Sequence, residues 1–290
     1  MSRHLRAREH GQRHVLPTPP ASEPAAARTA ALDERLVSLV APHSYEAEQY
    51  RSLRHLVEQA HRTSALSVLA VSSATVGDGK TTTAINLAGA LAQAADARVL
   101  LMDVDLRRPA IAERLGLPQE RDGLVDAILS PDRKLADVAR PCGLLNLAIV
   151  TAGAFSDIPY ELLRSPRLGD LLDQARRDYD YVVLDTPPLV PIPDARVISK
   201  WVDSFLLVVR ANKTPRGLLE ESLNLMDPQK VIGLVFNNDD RARTTYETYY
   251  AGSPGEVGSK AWWRPFARIR SVLGSDAPRR RHHGRRGEIR

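Results

Sequence analysis

Residues 72–82 read SSATVGDGKTT and hold the residue types best suited to gripping phosphate. A glycine-rich turn between an apolar strand and a helix lets backbone N–H groups point at phosphate oxygens, and the helix N-terminus adds positive potential. Gly77 and Gly79, either side of Asp78, permit a tight backbone approach, and all three are expected among the nucleotide contacts. Lys80 can reach the outer phosphates of a nucleotide, the Thr81 hydroxyl can hold Mg²⁺, and Thr82 continues the cradle. The full pattern carries glycine where this chain has Ala74. The cofactors so implied are ATP and Mg²⁺.

A phosphate loop needs acids for its metal, and two acidic segments follow apolar runs. VLLMDVDLRRP gives Asp103 and Asp105, and YDYVVLDTPP gives Asp185. In parallel α/β sheets ligands bind beyond the carboxyl ends of strands, so all three carboxylates are expected to face the loop. Each could orient Mg²⁺ through water, and one could take a proton from an attacking hydroxyl. Arg107 and Arg108 share the first segment and suit a phosphate, a neighbouring subunit or plain solvation.

Strands and helices that position these groups are legible as periodicity. A helix is expected over Ser44–His61, with Tyr50, Leu53, Leu56, Val57 and Ala60 on one stripe. Buried strands are expected at Ala65–Val71, Arg98–Met102, Leu145–Val150, Tyr181–Leu184, Phe205–Val209 and Val231–Phe236, with helices at Thr81–Ala95 and Leu168–Arg177. Strands alternating with helices indicate an α/β fold with a mostly parallel central sheet flanked by helices. Residues 1–43, rich in proline, alanine and charge, read as a disordered arm, 44–238 as the folded domain, and 239–290 as a flexible tail.

Composition narrows the setting. Cys142 is the single cysteine, so no disulfide framework forms within one chain and a reducing compartment is expected. No run approaches the about 20 apolar residues that cross a bilayer, and no apolar segment follows the basic N-terminus, so the expected location is cytoplasmic. The formal net charge of +5 concentrates in the closing RRRHHGRRGEIR. Such a tail suits an acidic partner or lipid headgroups, and nucleic acid is not the expected partner. The stretch Trp262, Trp263, Phe266, Arg268 and Arg270 fits either a membrane surface or a short helix packed on the domain.

Together these segments resemble the bacterial tyrosine kinase (BY-kinase) family, autokinases of polysaccharide export built on a P-loop NTPase fold. VLLMDVDLRRP matches its LLxDxDLRxP motif and LDTPP its Walker B turn. Glu48, Arg51 and Arg54 match its ExxRxxR helix, which the resemblance implies as a surface joining subunits into a ring. MinD and ParA relatives carry a further lysine where this chain has Thr75, and Asn237 matches an asparagine placed near the base. By resemblance Asp103 is the catalytic base, Asp105 and Asp185 surround Mg²⁺, and the acceptors are the chain's own Tyr246, Tyr249 and Tyr250. A transmembrane polysaccharide co-polymerase is implied as activator, which would hold the chain peripherally at the inner face of the plasma membrane. The alternatives are an ATPase switch of the MinD/ParA type and an ATP-binding scaffold without kinase activity.

Overall fold

The computed structural model describes residues 32–118, 122–143, 145–239 and 269–270. The expected apolar runs form strands β1 (Val68–Ser73), β2 (Val99–Asp103), β4 (Leu147–Val150), β5 (Tyr181–Asp185), β6 (Ser204–Arg210) and β7 (Val231–Asn237). Two-residue strands β3 (Arg140–Pro141) and β8 (Ile269–Arg270) lie at the two edges, in the order β3-β4-β2-β5-β1-β6-β7-β8. Every inner pairing is parallel and only the edge strands run antiparallel.

Successive strand residues point to opposite faces, and both faces are apolar. Leu69, Val71, Leu101 and Val183 pack on one side with Ile85, Leu87 and Leu91 of the helix that follows the phosphate loop. Val68, Ala70, Leu100, Met102, Val182 and Leu184 pack on the other with Leu124, Leu163, Leu168 and Leu171. The helices are α1 (Val37–Val40), α2 (Tyr45–Ser64), α3 (Lys80–Ala92), α4 (Ile111–Arg114), α5 (Leu124–Leu129), α6 (Leu135–Val138), α7 (Pro159–Arg164), α8 (Pro166–Asp178), α9 (Asp194–Val197) and α10 (Arg216–Asn224). Helix α3 is buried along its length from Thr81 to Ala92, because the sheet covers one side and α1 and α2 cover the other.

Three departures from the sequence-based expectations have physical causes. Strand β1 starts three residues later than expected and runs on to Ser73, because Ala65 closes α2 in the left-handed conformation at φ 52°. Leu56 is exposed, whereas Ala47, Tyr50, Leu53 and Val57 form the buried stripe. The folded body also begins ahead of Ser44. Leu36 is fully buried and α1 packs on α3, so residues 32–43 do not belong to a disordered arm. Residues 1–31 and most of the tail, with Tyr246, Tyr249, Tyr250, Trp262, Trp263 and Phe266, lie outside the described residues. Part of the aromatic and basic stretch, Ile269–Arg270, pairs with β7 as a strand and not as a helix.

Leu36 is the apolar anchor of the early segment. Leu36→Ala is expected to lower the unfolding free energy by about 2–5 kcal/mol in urea titrations, the range for a buried leucine that leaves a cavity. A change within about 0.5 kcal/mol, typical of surface positions, would show that the segment is not seated on the core.

Candidate functional site

The topology brings three chain segments to one place. β1 lies between β5 and β6, and β2 lies beyond β5, so the loops leaving β1, β2 and β5 open at the same sheet edge. Val71 is paired with Asp185, and Asp185 with Asp103. The Leu189 N–H donates to Ser73 O at 2.9 Å and the Ser72 hydroxyl to Pro187 O at 2.8 Å, which ties the Thr186-Pro187-Pro188 turn to the phosphate loop.

The loop itself is over-determined. Gly79 sits at φ 102°, and a Cβ there would fall 2.0 Å from Asn237 Nδ2. That amide donates to Asp78 O at 2.9 Å, so Asn237 presses on the loop only because residue 79 has no side chain. Gly77, at φ 87°, has open space where a Cβ would stand, leaving its backbone free to face a ligand. Asp78, expected among the ligand contacts, turns the other way. Its carboxylate accepts the Thr75 N–H at 3.0 Å and the Thr214 hydroxyl at 2.8 Å, and it is absent from the cavity wall. The Asp78 carboxylate thus shapes the loop, held by a backbone N–H and the hydroxyls of Thr75 and Thr214. Ala74 is buried, and its methyl fits where the full pattern has glycine.

A cavity of about 510 Å³ opens over the loop, lined by Gly77, Gly79, Lys80, Thr81, Thr82, Asp105 and Asn237. Lys80 Nζ donates to Asp105 Oδ2 at 2.7 Å and stands 3.9 Å from Asp185 Oδ1. Burial acts against the charge on this ammonium, but the charges of Asp185 and then Asp105 outweigh it and raise its pKa. Asp185 is fully buried, with Lys80 at 3.9 Å and the Thr81 hydroxyl beside it and no donor at full hydrogen-bonding geometry on either oxygen. Burial lifts the Asp185 carboxyl to about 6, against the lowering effect of Lys80. A buried carboxylate so placed, beside a second carboxylate and the Thr81 hydroxyl, is an oxygen-rich set that fits a hard divalent cation. Thr81, Asp105 and Asp185 would hold it.

Asp103 is not part of that wall. Its Oδ2 accepts the N–H groups of Ala110 and Ile111, both at 3.0 Å, and so caps α4. Its Oδ1 is buried without a partner, and the residue lines a neighbouring cavity with Gly153, Glu113 and Phe155. The expectation that all three carboxylates face the loop is corrected: Asp105 lines the cavity, Asp185 lies buried behind Lys80 at 3.9 Å, and α4 claims Asp103. Burial, and next the charge of Asp185, push Asp103 up to about 8.

Other expected residues are placed as follows. Arg107 is engaged by buried Asp194 at 2.7 Å, and both Arg107 and Arg108 line the cavity. Arg51 pairs with Glu48 and also reaches Pro42 O, while Arg54 bonds Glu58 at 2.6 Å and Ala90 O at 3.1 Å. The three residues of the ExxRxxR helix thus have partners within the chain. Sequence reasoning missed Arg35, Arg114 and Arg210 in the cavity wall, because isolated arginines outside a motif give no local signal.

A parallel sheet with a glycine-rich loop after its central strand, a buried lysine and acids from two neighbouring strands defines a P-loop nucleotide-binding protein. Comparison narrows the class. Residues 66–214 match the family model described as an AAA domain. The chain is 34% identical over 71% of its length to the succinoglycan biosynthesis transport protein ExoP of Rhizobium meliloti, of which it spans 27%. It is 28% identical over 77% of its length to the tyrosine-protein kinase YwqD of Bacillus subtilis, of which it spans 94%. The crystallised VpsO kinase domain is 32% identical with a TM-score of 0.61, covering 67% of this chain and 96% of its own. The chain belongs to the bacterial tyrosine kinase family of P-loop proteins.

The pKa shifts fix a sign for pH. Between the ordinary 3.8 and about 8 the folded chain keeps a proton on Asp103 that the unfolded chain releases, so stability falls as pH rises through that window. Asp185 adds to the fall between 3.8 and about 6. In chelator-treated apoprotein, Asp103→Asn is expected to flatten the decline and to be the more stable form near pH 8, measured by urea unfolding across pH. Parallel pH curves for the two proteins would contradict this assignment.

Proposed function

We propose that the chain is an ATP-dependent protein-tyrosine kinase that phosphorylates its own tail tyrosines and regulates exopolysaccharide chain length or export. The observation that carries this reading is the Lys80 ammonium in the wall of the cavity over the glycine loop, bonded there to Asp105 and backed 3.9 Å away by the buried carboxylate of Asp185. The family and the names of its relatives supply the acceptor and the setting.

Lys80 and the loop N–H groups would hold the outer phosphates of ATP in line for transfer. Mg²⁺ on Thr81, Asp105 and Asp185 would neutralise charge on the phosphate oxygens. A tyrosine phenol has a pKa near 10, so its attack needs a positioned base. Asp103 suits that role in its ionised form, which dominates only above about pH 8 in the apoprotein, with Oδ2 pinned by two N–H groups and Oδ1 unpartnered. The phenolic proton goes to Oδ1, the phenolic oxygen bonds to the γ-phosphorus, and the bridging β–γ P–O bond breaks to release ADP with its electron pair. A phenol entering beside Gly153 and Phe155 would meet Oδ1 from the neighbouring cavity.

Tyr246, Tyr249 and Tyr250 are the acceptors in this reading, presented by a second copy in a ring joined through Glu48, Arg51 and Arg54. Ring formation then requires Arg51 and Arg54 to exchange partners they now have within the chain. No helix among the described residues is long and apolar enough to cross a membrane. A transmembrane polysaccharide co-polymerase would supply anchor and trigger at the inner membrane face.

Purified chain incubated with ATP and Mg²⁺, with and without the cytoplasmic tail of a neighbouring co-polymerase, should carry phosphate on Tyr246, Tyr249 or Tyr250 by mass spectrometry. Lys80→Met should abolish it. Nucleotide turnover with no phosphotyrosine under either condition would favour the ATPase-switch reading, and binding without turnover a scaffold.

A further inference from the structure

The segment before α2 lies outside the matched domain, at residues 66–214, yet it is built into the phosphate-binding helix. The Ser38 N–H donates to Asn86 Oδ1 at 2.9 Å, Asn86 Nδ2 donates to Arg35 O at 2.9 Å, and Gln93 Nε2 donates to Ser38 O at 3.0 Å. Asn86 also bonds Thr82 O at 2.9 Å, so one amide holds both the segment and the first turn of α3. Gly89 keeps the approach close: a Cβ there would come within 2.8 Å of Leu39 Cδ2. A second anchor stands at α4, where the Asp33 N–H donates to Arg114 O at 3.2 Å and the Asp33 carboxylate accepts Arg114 Nη1 at 3.1 Å.

Between these anchors Arg35 stands in the wall of the phosphate cavity with Lys80, Thr82, Arg108 and Arg114. Its Nε lies 2.8 Å from Asp33 Oδ1, and Nη2 bonds the other oxygen. That fork holds the guanidinium in one orientation and leaves Nη1 uncommitted among the described residues. The side chain remains 41% exposed, so a ligand in the cavity can reach it. Arg114 stands in the same wall, with Nη1 held by Asp33 and its buried Nε without a partner.

We propose that Arg35 is a nucleotide-contacting residue: the segment 32–41 is a wall of the ATP site, and Asp33 holds Arg35 ready to donate to polyphosphate oxygens. A pre-oriented guanidinium loses little freedom on binding, and its planar fork matches a phosphate better than an ammonium does. The proposal rests on ATP being the ligand of this cavity.

The test is calorimetric titration of Mg²⁺-ATP into the full chain and into Arg35→Gln, Arg35→Lys and Lys80→Met, with apoprotein melting temperatures alongside. Arg35→Gln keeps the backbone bond to Asn86. It is expected to weaken ATP binding about tenfold, the scale of a hydrogen bond to a charged group, at an unchanged apo melting temperature. Its affinity should also fall less steeply with added salt, and Arg35→Lys should recover only part of the loss. ATP affinity in Arg35→Gln equal to that of the parent, with Lys80→Met silent, would overturn the role of Arg35 and leave the nucleotide site intact. A loss matched by a lowered apo melting temperature in both Arg35 variants would make Arg35 a merely structural residue and overturn it as well. No ATP binding by the parent chain, or undiminished binding by Lys80→Met, would overturn the nucleotide site itself and this inference with it.

Discussion

One ammonium serves three buried carboxylates at the end of the sheet. Lys80 bonds Asp105, stands near Asp185, and feels Asp103 beyond them. Water would solvate such charges, and burial withdraws it, so Asp103 and Asp185 rise in pKa while Lys80 bonds Asp105 and favours the charge on Asp185. Asp185 takes the harshest position, fully buried with only Lys80 at 3.9 Å and the Thr81 hydroxyl to favour its charge. A chain keeps such an arrangement where something else completes it, and the proposed Mg²⁺-nucleotide would complete this one.

The fold is what makes that concentration of charge possible. A parallel order with β1 between β5 and β6 puts the carboxyl ends of three strands side by side. The apolar faces on both sides of the sheet hold those ends in register, and the polar residues begin where the apolar runs stop. The loop is fixed from below by Asp78, which takes the Thr75 N–H and the Thr214 hydroxyl, and from the side by Asn237, which donates to Asp78 O. The segment 32–41 closes the remaining side through Asn86, so the site is bounded by elements from both ends of the domain.

Much of this was legible in the sequence, for definite reasons. Strands buried on both faces leave continuous apolar runs, and VLLM, YVVL and FLLVV fell where strands formed. The glycines, Lys80, Thr81, Asp105 and Asp185 are tied to a local pattern, and the structure gathers them in one place. Hidden features depend on contacts across the chain. Asp103 and Asp105 read alike in sequence, but α4 captures the first as a cap and leaves the second to Lys80. Asp78 looks like a ligand contact until Thr214, far along the chain, is seen to hold it. Helices α4, α5 and α6 span 4–6 residues, too few for periodicity to show. Residues 32–43 read as an arm because Leu36 and Val37, with half-buried Leu32 and Leu39, are too few to show a periodicity, and the bonds to Asn86 and Arg114 that fix the segment span the chain.

The direct test of the central claim is calorimetric titration of ATP with chelator and with Mg²⁺, on the parent chain and on Asp185→Asn. If the buried carboxylate of Asp185 awaits a cation, Mg²⁺ should tighten ATP binding to the parent chain, and most of that gain should vanish in the variant. Equal ATP affinity with and without Mg²⁺ in the parent chain would contradict the account.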